Sequence, residues 1–439
     1  MTPPTAVDSL IEARWIVPIE PAEVVLEHHA VAIREGLIVD LLPIEQARQR
    51  YLATEHVVLE EHVLMPGLVN AHTHAAMTLL RGFADDLPLM TWLNEAIWPA
   101  EREHASPEFV RDGTRLAAAE MLRGGITCVQ DMYFYPDAAA EAFSEAGMRA
   151  VLSLPVMEFP SRYAADADDY LRKGLAVRDQ WRDRPLLGFA LGPHAPYSVS
   201  DASFERVVAL SQELDCPIHI HLHETRTEVE DSIRHHGMRP LERLERLGLL
   251  GPGLSVAHAV HLTEGEIRLL AERNVSVVHN PTSNMKLASG IAPVARMLES
   301  GIAVGLGTDG AASNNRLDLW QEMRQASLLA KVAGERADAL PAHRALRMAT
   351  LDGARCLGLD DRIGSIQTGK EADLCAISLS NVDFQPCYDP VSHLVYVVDR
   401  HAVSDVWVAG NPRVRSHSLL QFNNIALQQI SRSWQNSLY

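Results

Sequence analysis

Apolar positions along this chain follow two rhythms. Up to about residue 65 they come in short runs, "ARWIVPI", "HHAVAIREGLIVDLLP" and "HVVLEEHVLMPG", with Glu35-Gly36 placed as a hairpin turn, and short runs bounded by turn residues predict β-strands. From about residue 66 to 372 the runs become almost wholly apolar: "GITCVQDM", "RAVLSLPV", "LLGFALGP", "PIHIHLHE", "GLSVAHAV", "VSVVHN" and "IAVGLGTD". Between them lie Ala/Leu/Glu/Arg-rich stretches of helical period such as "SPEFVRDGTRLAAAEMLRGG" and "DASFERVVALSQELD". Apolar strands alternating with helices imply a parallel sheet covered on both faces, and about eight of them, counting "VLMPGLVNAHTH", predict a closed (β/α)8 barrel. Strand texture returns after Gly364 in "GSIQTGKEADLCAISL" and "VSDVWVAGNPRV", followed by an amphipathic tail. Neither end is large enough to close a core alone. The expected organisation is therefore a small β-sandwich built from residues 1–65 and 373–439, the latter including a tail helix, beside a barrel of residues 66–372.

Composition narrows the function classes. Hydrophobic residues make up 47% and charged ones 22%, and no run approaches the roughly 20 consecutive apolar residues of a membrane span. A formal net charge of −18 disfavours nucleic acid and anionic membrane as partners. The start, "MTPPTAVDSLIEARW", lacks a basic flank before an apolar block, so a cytoplasmic protein is expected. Five scattered cysteines, none in a CxxC pair, argue against a disulfide framework and a thiolate zinc site.

Candidate chemistry collects where apolar strands stop: His72 and His74, His194, His219, His221 and His223, Glu224, His258, His279 and Asp309. Strand C-termini converge on one mouth of a barrel, the position of catalytic groups in this architecture. His72 and His74 are two apart, so a strand turns both to one face, where two neutral imidazoles can chelate a metal such as Zn²⁺. The run "HIHLHE" offers His219, His221 and His223 by the same rule, and period alone does not choose among them. Asp309, ahead of a Gly-rich turn, is either a further ligand or a helix cap.

The segments "PGLVNAHTHAAMTLLRGFADDLPLMTWL", "IHLHET", "AHAVHL", "HNPTSNMKLASGIAPV", "GLGTDGAASNN" and "GSIQTGKEADL" resemble the amidohydrolase superfamily, specifically its 5′-methylthioadenosine/S-adenosylhomocysteine deaminases, over nearly the whole chain. The resemblance implies a metal held by His72, His74, His221 and Asp309, with His219 behind them. "LLGFALGPHAPYS" and "RAVLSLPVMEFP" contain no lysine for the carbamate bridge of binuclear members, so one Zn²⁺, or another divalent ion, is expected. In that frame Asp309 would take the proton of the attacking water. His258 would orient the water and stabilise the oxyanion, and Glu224 would protonate a ring nitrogen and then the leaving amine. Glu101 would hold the ribose hydroxyls and His194 the nucleoside, while Trp92 and Met90 are candidate pocket walls. Relatives that deaminate S-adenosylhomocysteine well carry an arginine near the end of "RAVLSLPV", whereas this chain has Leu154. Leu154 suits a methylthio tail, Arg162 is the remaining candidate for an amino-acid carboxylate, and 5′-methylthioadenosine is the expected preferred substrate. The resemblance also implies a homo-oligomer.

Cytidine-type zinc deaminases need a PCxxC motif that this chain lacks. Guanine and pterin deaminases and triazine chlorohydrolases share the metal frame and remain alternatives. A non-catalytic assembly protein is the alternative of another class, disfavoured because every expected ligand is present.

Overall fold

The computed structural model describes residues 4–438. Its strands are β1 (Thr5–Ile16), β2 (Leu26–Arg34), β3 (Leu37–Pro43), β4 (Tyr51–Pro66), β5 (Leu68–Thr73), β6 (Ile126–Met132), β7 (Arg149–Val156), β8 (Leu187–Pro193), β9 (Ile218–Leu222), β10 (Leu254–His258), β11 (Ser276–His279), β12 (Val304–Leu306), β13 (Leu374–Ser378), β14 (Val403–Val408), β15 (Asn411–Arg415) and β16 (Ser418–Leu419). Strands β5 to β12 pair in chain order as eight parallel neighbours with helices between them, a (β/α)8 barrel. Every residue of β5, β6 and β7 is buried, as apolar strands covered on both sides must be. Polar contacts link the first strand to the last: the Asp309 N–H donates to the His72 carbonyl at 3.0 Å and the Thr308 N–H to Asn70 Oδ1 at 2.9 Å.

Strands from the two chain ends form an additional domain. They make one eight-stranded sheet in the order β16-β15-β14-β13-β4-β1-β2-β3, with β13 pairing antiparallel to the end of β4. One core serves both ends, bringing Ile11, Ile33 and Leu64 together with Leu374 and Trp407. The Glu35-Gly36 turn has both φ angles positive, 53° and 78°, as a two-residue hairpin requires. Past Gly364 the strand begins only at Leu374, and the tail is a helix over Asn424–Leu438. Arg149, at the start of β7, joins barrel to sheet: its Nε and Nη2 donate to Asp373 at 3.0 and 2.9 Å and Nη2 to Glu371 at 2.6 Å.

The helix Pro107–Arg123 shows how sequence places the wall behind the site. Ser106 caps it by accepting the Phe109 N–H at 3.2 Å, Pro107 opens it, and Phe109, Val110, Ala117 and Met121 bury one face. At Gly113 a Cβ would overlap the backbone of Ala76, so only glycine lets this helix press on the turn Ala75–Leu80 that follows His74. Among the described residues no helix is long and apolar enough to cross a membrane.

Candidate active site

The strand-end residues converge. His72 and His74 stand at the end of β5, His221 in β9, His258 at the end of β10 and Asp309 just past β12. Asp309 Oδ1 lies 3.4 Å from His72 Nε2 and 3.3 Å from His74 Nε2, and His221 Nε2 lies 3.4 Å from His74 Nε2. His72, His74 and Asp309 form one group spaced to hold a metal ion, and His72, His221 and His258 form a second sharing His72.

In each of three rings the far nitrogen is already engaged. His74 Nδ1–H donates to the Met132 carbonyl at 2.5 Å and His221 Nδ1–H to the His194 carbonyl at 2.7 Å. His72 Nδ1 meets His219 Nε2 at 2.8 Å, and His219 Nδ1 meets Ser255 Oγ at 2.7 Å. With protons on Nδ1, the Nε2 lone pairs of all three rings point into one small volume, a tautomer choice made by the partners. His72 Nε2 is buried and accepts no hydrogen bond from the described residues. Converging lone pairs beside a carboxylate repel one another unless a cation sits among them, so the donor set fits a divalent ion of the zinc type. The charge states agree. Burial depresses His72 to about 4. Burial would also depress His74, but its contact with Asp309 holds it at about 9. Asp309, which burial alone would raise, is held well below the usual carboxylate range by the two imidazoles. A cation held there requires His74 as the neutral imidazole.

A cavity of about 560 Å³ opens above this cluster, lined by His74, His194, His221, Glu224, His258 and Asp309 on one side and by Trp92, Leu93, Trp98, Glu101, Phe159 and Arg162 on others. Much of that far wall comes from the excursion after β5, where a π-type turn at Leu93–Ile97 joins two short helices, a feature frequent at functional sites. Glu101 accepts the Tyr133 hydroxyl at 2.7 Å, and burial raises its carboxyl to about 7. His194 Nδ1 meets Ser198 Oγ at 2.9 Å, and burial depresses the ring to about 3. Glu224 is buried, its carboxyl raised by burial, with Oε2 3.8 Å from His258 Nε2. His258 Nδ1 meets Asn284 Oδ1 at 2.8 Å. Strain gathers here: His223, His258 and Asp309 have φ of 53°, 74° and 58°, left-handed positions that cost energy and cluster where function needs them.

Three expectations change. Leu154 does not line the cavity: it turns outward in β7 and packs on Gly174 of the helix Ala167–Trp181, while its neighbour Pro155 faces the pocket, because alternate strand residues face opposite sides. Met90 is exposed and absent from the cavity wall, where Trp92 is present. His223 does not share the face of His219 and His221. Strand β9 ends at Leu222, and the left-handed turn at His223 sends its ring toward the Leu241 N–H, which it accepts at 3.1 Å. Past the end of β11 the polar residues divide into two sets. Ser283 and Asn284 hold Asp309 and His258, whereas among the described residues His279 Nδ1 and the Asn280 side chain are buried without partners.

Residues that sequence reasoning missed include Tyr133, which holds Glu101, and Glu228, whose carboxylate accepts the His223 and Glu224 N–H groups at 2.9 and 2.7 Å. The spacing Thr225-x-x-Glu228 is a capping-box signature that could have found Glu228. Here the carboxylate reaches past the cap to the two residues before it.

Residues 63–413 match the amidohydrolase family model. The chain is 46% identical to a 5-methylthioadenosine/S-adenosylhomocysteine deaminase of Teredinibacter turnerae, over 100% of this chain and 99% of that one. A crystal structure of an adenosine deaminase from Xanthomonas campestris with bound zinc superposes with a TM-score of 0.98 at 50% identity, covering 99% of both chains. A zinc complex of atrazine chlorohydrolase from Arthrobacter aurescens superposes with a TM-score of 0.91 at 25% identity, over 98% of this chain and 100% of that one. Matched along most of its length by the family model, and by relatives sharing nearly half its residues, this chain belongs to the amidohydrolase family.

Proposed function

We propose that the protein is a metal-dependent hydrolytic deaminase that replaces the 6-amino group of an adenine nucleoside with oxygen, releasing ammonia. One observation carries the reading: the Nε2 atoms of three imidazoles and one oxygen of Asp309 meet on the floor of a cavity that also holds the buried Glu224. His72, His74, His221 and Asp309 would hold one Zn²⁺ or a similar divalent ion. The two donor groups share His72, which supports a single ion. When bound, such an ion lowers the pKa of a water from about 15.7 to about 7 and so supplies a nucleophile at neutral pH.

The chain's own groups do the rest. Asp309 accepts the water's proton at its carboxylate. Glu224, its carboxyl raised by burial, is suited to carry a proton to a ring nitrogen and then to the departing amine. His258, with Nδ1–H donated to Asn284 Oδ1, offers Nε2 as an acceptor that orients the water. It stabilises a developing oxyanion only once Nε2 gains a proton. Carbon 6 gains the C–O bond and loses the C–N bond; of the water's two protons one stays on the ring nitrogen and the other leaves with the amine as ammonia.

Glu101 is placed to accept ribose hydroxyls and His194 to contact the nucleoside, both being part of the cavity wall. With Leu154 outside the pocket, the preference for 5′-methylthioadenosine rests on other residues. Trp98 and Phe159, with ring centres 5.8 Å apart, and Met157 give the tail an apolar setting. The Arg162 guanidinium, already donating to the Glu103 carbonyl, stands at the exposed rim where an amino-acid carboxylate could reach it. S-adenosylhomocysteine and adenosine are therefore secondary substrates. Identities of 46% and 50% to the methylthioadenosine/S-adenosylhomocysteine and adenosine deaminases, against 25% to the chlorohydrolase, favour deamination over dechlorination. Cysteines without disulfides fit a cytoplasmic location, and a homo-oligomer is read out by light scattering. Ammonia release from 5′-methylthioadenosine, S-adenosylhomocysteine, adenosine and guanine, measured beside metal content, tests the reading. Release from none of the three adenine compounds by metal-loaded protein would sink it.

A further inference from the structure

The two oxygens of Asp309 have different partners. Oδ1 faces His72 and His74 and accepts the Gly310 N–H at 2.8 Å. Oδ2 faces away, accepting the Ser283 hydroxyl at 2.6 Å and the Ser313 hydroxyl at 3.0 Å. All three side chains are buried. The two hydroxyls hold Oδ2 on the side away from the imidazoles. The serines sit on separate helical turns, Pro281–Lys286 after β11 and Ala311–Asn314 after β12. A second buried carboxylate ties those turns together. Glu322 accepts the Thr282 N–H at 3.0 Å, the Thr282 hydroxyl at 2.5 Å and Asn314 Nδ2 at 2.8 Å.

We infer that Ser283 and Ser313, braced by Glu322, are positioning residues that restrict Asp309 to a single-oxygen contact with the metal ion. The inference rests on the metal reading proposed above. Without the two hydroxyls the carboxylate can turn about its Cβ–Cγ bond and present both oxygens, because Oδ2 would otherwise stay buried with no donor. A second oxygen on the ion occupies a coordination position that the reaction needs open. Groups that orient a ligand from behind commonly change affinity or activity about 10- to 100-fold when removed. Ser313 Oγ lies 3.2 Å from the Gly310 carbonyl and 3.1 Å from Ser283 Oγ, but its one proton serves the shorter contact, Asp309 Oδ2 at 3.0 Å.

The test uses the full chain loaded with Co²⁺, in its parent form and as S283A, S313A, S283A/S313A and S313T. The double variant is expected to keep its fold by circular dichroism and lose visible absorption intensity, the mark of a higher coordination number. Its kcat should fall about 10- to 100-fold with KM nearly unchanged. S313T, which keeps the hydroxyl, should behave like the parent. Each single variant should show part of the same change, and they decide the matter if the double variant does not fold. Parent-like spectra and kcat in the alanine variants would overturn the clamp alone. A parent chain that retains neither Co²⁺ nor Zn²⁺ after dialysis would overturn the metal reading itself and the clamp with it.

Discussion

Replacing Glu224 by glutamine removes one ionisable oxygen and almost nothing else. The residue's backbone is held by Glu228 through N–H contacts of 2.9 and 2.7 Å at positions 223 and 224, so the amide should occupy the same place. Glu224 lies outside both donor groups spaced to hold an ion, so metal content should not change. What disappears is a carboxyl able to give and receive a proton within the cavity. General acid-base groups contribute about 10² to 10⁴-fold, which at about 1.36 kcal/mol per decade is roughly 2.7 to 5.4 kcal/mol of barrier. The contact with His258 at 3.8 Å is too long for a hydrogen bond, so losing it should contribute little to that figure. The assay is deamination of 5′-methylthioadenosine followed by the spectral change from adenine to hypoxanthine, at saturating substrate, with metal per chain measured on the same sample. A fall in kcat of at least about 100-fold with metal retained is expected. Turnover within a few-fold of the parent would refute the role given to Glu224.

Other expected outcomes draw on different parts of the molecule. Arg149→Met strands Asp373 as a buried charge whose remaining donor is the Ala409 N–H at 2.8 Å, costing about 3 to 5 kcal/mol. With unfolding entropy near 2.1 cal/mol/K per residue, about 0.9 kcal/mol/K for a chain of this length, the Tm in scanning calorimetry should drop by about 3 to 5 °C. An unchanged Tm would mean that the barrel-to-sheet link is not a stabilising one. Burial raises Glu101 to about 7, so the carboxylate proposed to accept ribose hydroxyls is lost by protonation as pH falls through that value. KM should rise below about pH 7 and level off above it, and Glu101→Gln should flatten the profile. A KM that does not vary with pH in the parent would exclude that contact. Arg162→Ala should lower kcat/KM for S-adenosylhomocysteine by about 10- to 100-fold, the worth of one charge-assisted contact, while leaving 5′-methylthioadenosine within about twofold. An equal loss on both substrates would show that Arg162 shapes the rim instead of reading a carboxylate.

Much of this protein can be read without coordinates, because its strongest signals are local. An almost wholly apolar run such as "RAVLSLPV" reads as a strand buried on both faces, and its repetition between helical stretches predicts a barrel. The two-residue period turns His72 and His74 to one side. Other features depend on where a strand stops and how the backbone leaves it. Strand β9 ends at Leu222, and a left-handed residue at His223 undoes the alternation that sequence reading extends one step too far. For Leu154 the local rule was sufficient, but choosing the inward phase of β7 required knowing that Pro155 faces the pocket. The two-serine hold on Asp309 joins segments 26 and 4 residues away from it, and Glu322 gathers them from a third element. Sequence alone determined the architecture and the kinds of side chain at the barrel mouth, since periodicity and residue chemistry are written along the chain. Only the folded structure decided which lone pairs meet, which oxygens are taken and which walls face the cavity, since those are distances between parts of the chain that sequence keeps far apart.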